Sequence, residues 1–350
     1  MAAMALGAVC GMNGCKAQNN DMKSVEANEF EQAILEPGVF LLDVRTPQEY
    51  AEGHIAGAIN ADVRADGFMD NIAGILPKDM KAAVYCRTGN RSKTAAGQLV
   101  RAGYQVIELN TGITGWTEAG KAVTQDEADA FLTTSGRSVR MYCIKHGSVR
   151  MNIDGKWLYV DPVGRGAQPV TDYSVLPKAD VILITHEHGD HLDADAINQL
   201  SKNGTLIIAN PNSQKQLGKG ETMVPGDTRT LDGGLAIKAV PAYNSTQGRE
   251  NFHPKGRDNG YLISIDGFTV YIAGDTEDIP ELSELSDLNI DVAFLPCNQP
   301  YTMTPEQLKS AAMTIGPKVL FPYHYGNTDM NQVTGQLEDS GIDVRIRRYQ

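Results

Sequence analysis

Short apolar, β-branched runs alternate with stretches of helical periodicity along most of this chain, which predicts an α/β class in both halves. Residues 180–185 read Asp-Val-Ile-Leu-Ile-Thr, a run short and apolar enough for a buried strand. Residues 235–244 predict another strand. Residues 261–267 and 269–276 predict a hairpin that ends in Gly274-Asp275-Thr276, and 319–326 predict a last strand that ends at His324. In the first third, Val84-Tyr85 closes a predicted strand. Cys86 and a short polar loop follow, then a helix predicted over 93–102. Between the halves, 124–136 is acidic and reads as a short helix or linker. No internal repeat is legible.

Composition narrows the function. A length of 350 residues allows two domains. The net charge of −12 argues against a nucleic-acid partner, because phosphate contacts need Lys and Arg in excess and no basic stripe is present. Five cysteines allow one disulfide but no disulfide framework; Cys143 and Cys297 lie in or beside predicted strands and are expected to be buried. Residues 1–12 are apolar but too short to span a bilayer. They look like the core of an export signal, with Cys15 as a candidate lipidated cysteine and Cys10 less well placed. The expectation is a periplasmic protein or membrane-anchored lipoprotein, and otherwise a cytoplasmic one.

The densest chemistry follows the 180–185 run. Thr185-His186-Glu187-His188-Gly189-Asp190-His191 places three of the seven histidines within six residues. Imidazole is the commonest transition-metal ligand, and a carboxylate completes such a site. In an extended backbone, residues two apart point the same way, so His186 and His188 can share one ion while Asp190 and His191 turn toward a second. Zinc is expected for this nitrogen and oxygen donor set, as two ions, with iron or manganese as alternatives.

The spacing resembles the metal loop of metallo-β-lactamase-fold hydrolases, whose fold is an αββα sandwich. Gly274-Asp275-Thr276 looks like the family's bridging-aspartate motif and His324 is similar to its final ligand. Where many members place a histidine, this chain has Asn244, and the resemblance then points to His253 as the replacement. Val160-Asp161-Pro162, Ile279-Pro280-Glu281 and Tyr301-Thr302-Met303-Thr304-Pro305 resemble the lactonase-like branch. The implied chemistry is metal-assisted hydrolysis of a small ester, lactone or phosphoester. A bound cation lowers the pKa of water from about 15.7 toward about 7 and stabilises the developing oxyanion. Asp190 orients the nucleophile or takes its proton. His146 is either a hydrogen-bonding support to that site or an ordinary strand-end histidine.

A second signature lies upstream. Cys86 sits in a strand-to-helix turn where backbone N–H groups converge and the helix dipole is positive. Arg87 and Arg91 add charge, and all three effects favour the nucleophilic thiolate. The segment 84–92, with Phe40 to Arg45, Gly53 to Asn60 and Gly112 to Trp116, resembles rhodanese sulfurtransferase domains. That resemblance implies a parallel sheet with flanking helices and a structural role for His54. Four residues separate Cys86 from Arg91, one fewer than in the related phosphatases. The tighter loop suits transfer of one sulfur atom from a sulfane donor to a thiol acceptor. Arg87 and Arg91 would hold the anionic donor.

The expected organisation is a leader over 1–22, a rhodanese domain over 23–123, a linker over 124–137 and a metallo-β-lactamase-fold domain over 138–350. The expected protein is a metal-dependent hydrolase fused to a sulfurtransferase acting through a Cys86 persulfide. Two alternatives stand beside it: a persulfide dioxygenase with a mononuclear iron, and a rhodanese module that only docks a partner or carries sulfur. A persulfide relay from Cys86 to Cys297 is conceivable, but packing is the better expectation for Cys297.

Overall fold

Five strands of the first third pair side by side, all parallel. They are β1 (Met22–Val25), β2 (Val39–Asp43), β3 (Ile59–Asn60), β4 (Lys81–Tyr85) and β5 (Val106–Leu109), in the order β1-β5-β4-β2-β3. The centre of this sheet reads as unbroken apolar sequence because both faces are covered. Helices α1 (Ala27–Ile34), α2 (Pro47–Glu52), α3 (Phe68–Ile75), α4 (Asn90–Arg101) and α5 (Gly112–Glu118) cover it. One core gathers Phe40, Leu42, Val84 and Leu99, and the other gathers Phe30, Leu41, Tyr85 and Trp116. Helix α2 starts on a full capping box between Thr46 and Glu49, with Pro47 in its first turn. The structure is a computed structural model and describes residues 21–36, 38–125, 127–166 and 170–348. Cys10, Cys15 and most of the expected leader lie outside the described residues.

The remaining strands form two seven-stranded sheets. The first runs from β6 (Glu127–Leu132) through β7 (Ser138–Lys145), β8 (Ser148–Ile153), β9 (Lys156–Val160), β10 (Val181–Ile184) and β11 (Leu206–Ala209) to β12 (Glu221–Thr222). The second runs from β13 (Thr228–Thr230) through β14 (Ala236–Ala242), β15 (Asp258–Ile265), β16 (Phe268–Ile272), β17 (Val292–Pro296) and β18 (Val319–Tyr323) to β19 (Asp343–Val344). Both sheets follow one plan. Their first four strands pair antiparallel and the rest pair parallel.

The inner faces meet in one core that includes Val149, Met151, Leu183, Ile237, Ile263 and Phe294. Helices α6 (Ala194–Leu200) and α7 (Pro211–Leu217) accompany the first sheet. Helices α8 (Pro305–Ile315) and α9 (Met330–Leu337), with a 3-10 segment over Pro280–Leu288, cover the second. This is the αββα layering that the resemblance implied. His324 leaves β18, which is not the last strand, since α9 and β19 follow it.

The segment expected as an acidic helix or linker is instead largely the edge strand β6, antiparallel to β7. Its alternation explains why. Ala128 and Ala130 pack against the N-terminal core, while Phe131 packs into the sandwich. On that second face Asp129 is clamped by Arg345 and Arg347 from the C-terminal tail, each at 2.7 Å. Upstream of β6, His54 and Thr124 exchange backbone hydrogen bonds at 2.9 and 2.8 Å. His54 also stacks on Tyr50, so its role is structural. Among the described residues no helix is long and apolar enough to cross a membrane.

Candidate metal centre and cysteine site

Six of the seven histidines converge at one end of the sandwich, each delivered by a different strand end or loop position. The loop after β10 carries His186, His188, Asp190 and His191. His146 follows β7, His253 lies in the loop between β14 and β15, Asp275 follows β16 and His324 follows β18. His146 and His324 both have positive φ, 46° and 47°, and the His324 N–H donates to the His146 carbonyl at 3.1 Å. Two non-glycine residues in the left-handed region, tied to each other, mark a backbone held for its side chains.

Asp275 is the hub. Its carboxylate lies 3.4 Å from His191 Nε2, 3.4 Å from His253 Nε2 and 3.3 Å from His324 Nε2. A tetrahedral ion with bonds of about 2.0–2.2 Å holds its ligand atoms about 3.3–3.6 Å apart, so these separations suit donors around a shared cation. The potential donors sort into overlapping groups. His186, His188 and His253 form one, His146, Asp190, His191 and His324 a second, and His186, His191 and Asp275 a third.

The far sides of three rings are anchored. His191 Nδ1 meets Asp161 at 2.8 Å, His253 Nδ1 meets Asp258 at 2.9 Å, and His186 Nδ1 meets Thr185 Oγ1 at 2.9 Å. A carboxylate behind a histidine fixes its tautomer and points Nε2 at the metal. Asp161 also accepts from the Thr185 N–H at 2.8 Å, which ties β9 to the metal loop. His146 Nε2 lies 3.0 Å from Asp190 and its ring packs on His324, so it belongs to the cluster and is not an isolated strand-end residue.

The donor set fits a cation. His191 Nε2, both ring nitrogens of His324 and one oxygen of Asp275 are buried without a hydrogen-bond partner, which buried polar atoms rarely tolerate. Burial opposes a charge on His191, yet Asp275 and Asp161 override it and push its pKa to about 10, so positive charge is favoured at that spot. Burial, then the rings of His191, His253 and His188, hold His186 well below its usual value, in the neutral form that ligates.

Asn244 does not act in place of a histidine. Its amide nitrogen donates to the Tyr301 carbonyl at 2.8 Å, and its backbone N–H holds the His253 carbonyl at 2.8 Å. It therefore fixes the loop that carries His253. Cys297 packs in the outer core below the helices, where burial pushes its thiol up to about 12; it has no part in the site. Among the described residues Cys86, Cys143 and Cys297 are buried and form no disulfide.

Cys86 lies at the base of a cavity of about 360 Å³, with Glu49, Arg64, Arg87, Thr88, Asn90 and Arg91 around it. Helix α4 begins at Asn90, three residues before the expected start, so the loop is very tight. Gly89 permits it: φ is +92°, and a Cβ there would stand 2.1 Å from the Asn110 carbonyl. Burial raises the Cys86 thiol, but the Ser92 hydroxyl and the N–H groups of Ser92, Thr88 and Gly89 outweigh it and leave the pKa lowered.

Arg87 and Arg91, both expected to hold the anionic donor, sit in different surroundings. Arg91 grips Glu49 through two bonds of 2.6 and 2.7 Å, so its charge is neutralised within the wall. The exposed guanidinium groups at the mouth are those of Arg87 and Arg64. Sequence reasoning gives no sign of Arg64 and Glu108 here or of Asp258 at the metal centre, and shows Glu49 and Ser92 only as parts of motifs. Asp161 was visible only as part of a motif.

The αββα layering with a histidine–aspartate cluster at its strand ends defines the metallo-β-lactamase class. The Beta-lactamase superfamily domain matches residues 140–324, and the Rhodanese-like domain matches residues 26–119. The chain belongs to the beta-lactamase superfamily and carries an N-terminal rhodanese-like domain. It is 32% identical over 215 residues to a UPF0173 metal-dependent hydrolase of Anoxybacillus flavithermus, covering 57% of this chain and 94% of that one. A crystal structure from Parabacteroides distasonis is 54% identical, with a TM-score of 0.61, and covers 64% of this chain and 100% of its own. Igni18, a metallo hydrolase of Ignicoccus hospitalis, is 28% identical with a TM-score of 0.52, covering 60% and 95%. The protein is a metal-dependent hydrolase of this superfamily fused to a rhodanese domain.

Proposed function

We propose that the C-terminal domain hydrolyses a small ester, lactone or phosphoester with two zinc ions held around Asp275, and that Cys86 carries sulfane sulfur as a persulfide. The observation that supports the first part is the set of three imidazole nitrogens within 3.4 Å of the Asp275 carboxylate. His186, His188 and His253 would hold one ion, and Asp190, His191 and His324 the other, with Asp275 between them. When bound, the metal supplies a more acidic water and charge to stabilise an oxyanion. Asp190 accepts from His146 and is 39% exposed at its side chain, so it can reach solvent and orient an attacking water. His146 holds Asp190 in place.

The lowered Cys86 thiol and the free charges of Arg87 and Arg64 support sulfur transfer from an anionic donor. The test has two arms. Metal analysis of purified protein followed by a panel of lactones, esters and phosphoesters tests the hydrolase. One iron per chain with oxygen uptake on glutathione persulfide would replace it with the dioxygenase reading. Thiosulfate:cyanide sulfurtransfer, lost in Cys86→Ser, tests the persulfide. No turnover together with a specific partner would favour a docking role.

A further inference from the structure

Beneath the Cys86 loop lies a carboxyl group that neither proposed reaction uses. Glu108 on β5 is fully buried. Ser92 Oγ donates to its Oε1 at 2.7 Å, and Ser24 Oγ of β1 donates to its Oε2. Ser92 Oγ also lies 3.5 Å from Cys86 Sγ. No lysine, arginine or histidine forms an ion pair with Glu108 among the described residues. The charged groups around the thiol lie on the other side of the loop: Arg87 beside it, Arg91 on α4 with Glu49 from α2, and Arg64 across the cavity. Asp62 adds its field at Arg91. On the Glu108 side the loop passes at Gly89, where an added Cβ would stand 3.6 Å from Glu108 Oε1.

A serine hydroxyl has one proton to give. Here Ser92 gives it to Glu108, which leaves its oxygen able to accept from the Cys86 thiol; the same hydroxyl favours the thiolate only when its proton turns to sulfur. Among the described residues the Glu108 carboxyl bonds to the hydroxyls of Ser92 and Ser24. Hydroxyls donate to a carboxylate and can turn to accept from a carboxylic acid, so its partners serve both states.

We propose that Cys86, Ser92 and Glu108 form a proton relay in which Glu108 receives the thiol proton through the Ser92 hydroxyl. The S–H bond of Cys86 breaks as an O–H bond forms at Ser92, and the original Ser92 proton moves to Glu108 Oε1. One negative charge passes from Glu108 to sulfur and nothing is oxidised or reduced. Ser92 then donates to the thiolate, which attacks the outer sulfur of a sulfane donor. With thiosulfate, the S–S bond breaks and sulfite leaves with its electron pair. When an acceptor takes the sulfur from the persulfide, the Cys86 thiolate is regenerated and recovers its proton along the same path. Ser24 holds the far oxygen and so keeps Oε1 turned toward Ser92.

This relay rests on the sulfur-transfer reading of Cys86, but its test reads the thiol itself. The full chain is treated with iodoacetamide across a pH series, and alkylation is followed on the Cys86 peptide by mass spectrometry. In Glu108→Gln the alkylation rate at pH values below the thiol's own midpoint falls about tenfold, because the internal proton acceptor is gone; a faster rate with a lower midpoint, as expected if Glu108 is only an anion opposing the thiolate, overturns the relay. Ser92→Ala slows alkylation in the same way, and Ser92→Thr, which keeps the hydroxyl, restores the original profile. An unchanged rate in Glu108→Gln, or Ser92→Thr behaving as Ser92→Ala, overturns the relay. If Glu108→Gln does not fold by circular dichroism, the two Ser92 variants decide the matter alone. Slowed variants in a chain that never moves sulfur from thiosulfate to cyanide would sink the sulfurtransferase reading and keep the relay. Normal turnover with variants that are not slowed would do the reverse.

Discussion

The Nδ1 of His253 and the Oδ2 of Asp258 stand 2.9 Å apart, one residue in the loop before β15 and the other at the strand's first position. An ionised carboxylate can only accept, so the proton sits on Nδ1 and the lone pair of Nε2 faces Asp275. Arg257 grips the same carboxylate at 2.6 and 2.8 Å and keeps it aimed. Asp258→Asn should therefore weaken metal binding by about 10–100-fold while the ligands themselves stay in place. Competition with a chromogenic chelator measures this, and an unchanged affinity would remove Asp258 from the account.

His253 and Asn244 make opposite predictions. His253→Ala should lower bound metal by about one ion per chain, because its group of donors falls from three residues to two. Asn244→Ala should leave the metal count intact and only loosen the loop. Elemental analysis after gel filtration separates the two. Metal loss in Asn244→Ala with retention in His253→Ala would reverse the assignment.

At the cysteine site, the split between Arg87 and Arg91 is testable by kinetics and melting together. Arg87→Ala should raise KM for thiosulfate about tenfold through loss of a charge-assisted contact, with the melting temperature unchanged. Arg91→Ala should lower the melting temperature, since it leaves Glu49 without its partner. Equal KM effects and equal melting temperatures would mean that both arginines serve the donor.

The same ion pair gives a pH dependence. The Arg91 guanidinium holds Glu49 down from 4.5 to about 2. A carboxyl whose pKa is depressed on folding stabilises the fold above its unfolded value, and that contribution disappears as pH falls through the folded one. The N-terminal domain should thus lose stability between pH 4.5 and about 2, and Glu49→Gln should flatten that part of the curve. Denaturant midpoints for the two chains at a series of pH values provide the check. Parallel curves would show that Glu49 contributes nothing.

Asp129 offers a stability test at the junction. Its carboxylate takes Arg345 and Arg347 together and is nearly buried, with the arginines partly exposed. Asp129→Asn should cost about 2–3 kcal/mol, read as a lower melting temperature. A change below about 0.5 kcal/mol would place the clamp among inert surface pairs.

How much of this was legible depends on whether the determining contacts are local. The β10 strand could be read from Val181 to Ile184 because a buried parallel strand is apolar at every position, and its histidines follow immediately. The Cys86 turn could be read because its strand, loop and helix are contiguous. Asp161 and Asp258 could not be given their roles, since each pairs with a histidine whose approach is set by the fold and not by spacing. Glu108 and Ser92 are sixteen residues apart and meet only because α4 packs on β5. The 127–132 strand shows no strand signal in the sequence because alanines and acids carry little strand preference. Its pairing comes from β7 and from the two cores that it touches. The common pairing plan of the two sheets leaves no visible trace of repetition in the sequence.

That strand has one further consequence. With alanines turned to one domain and Phe131 to the other, β6 cannot be assigned to either half without stripping a face from its neighbour. Trimming the gene anywhere inside 127–132 should yield fragments that clump, and a minimal hydrolase piece must keep the strand and mask its small-residue side. The fusion thus behaves less like two beads on a string than like two rooms sharing a party wall.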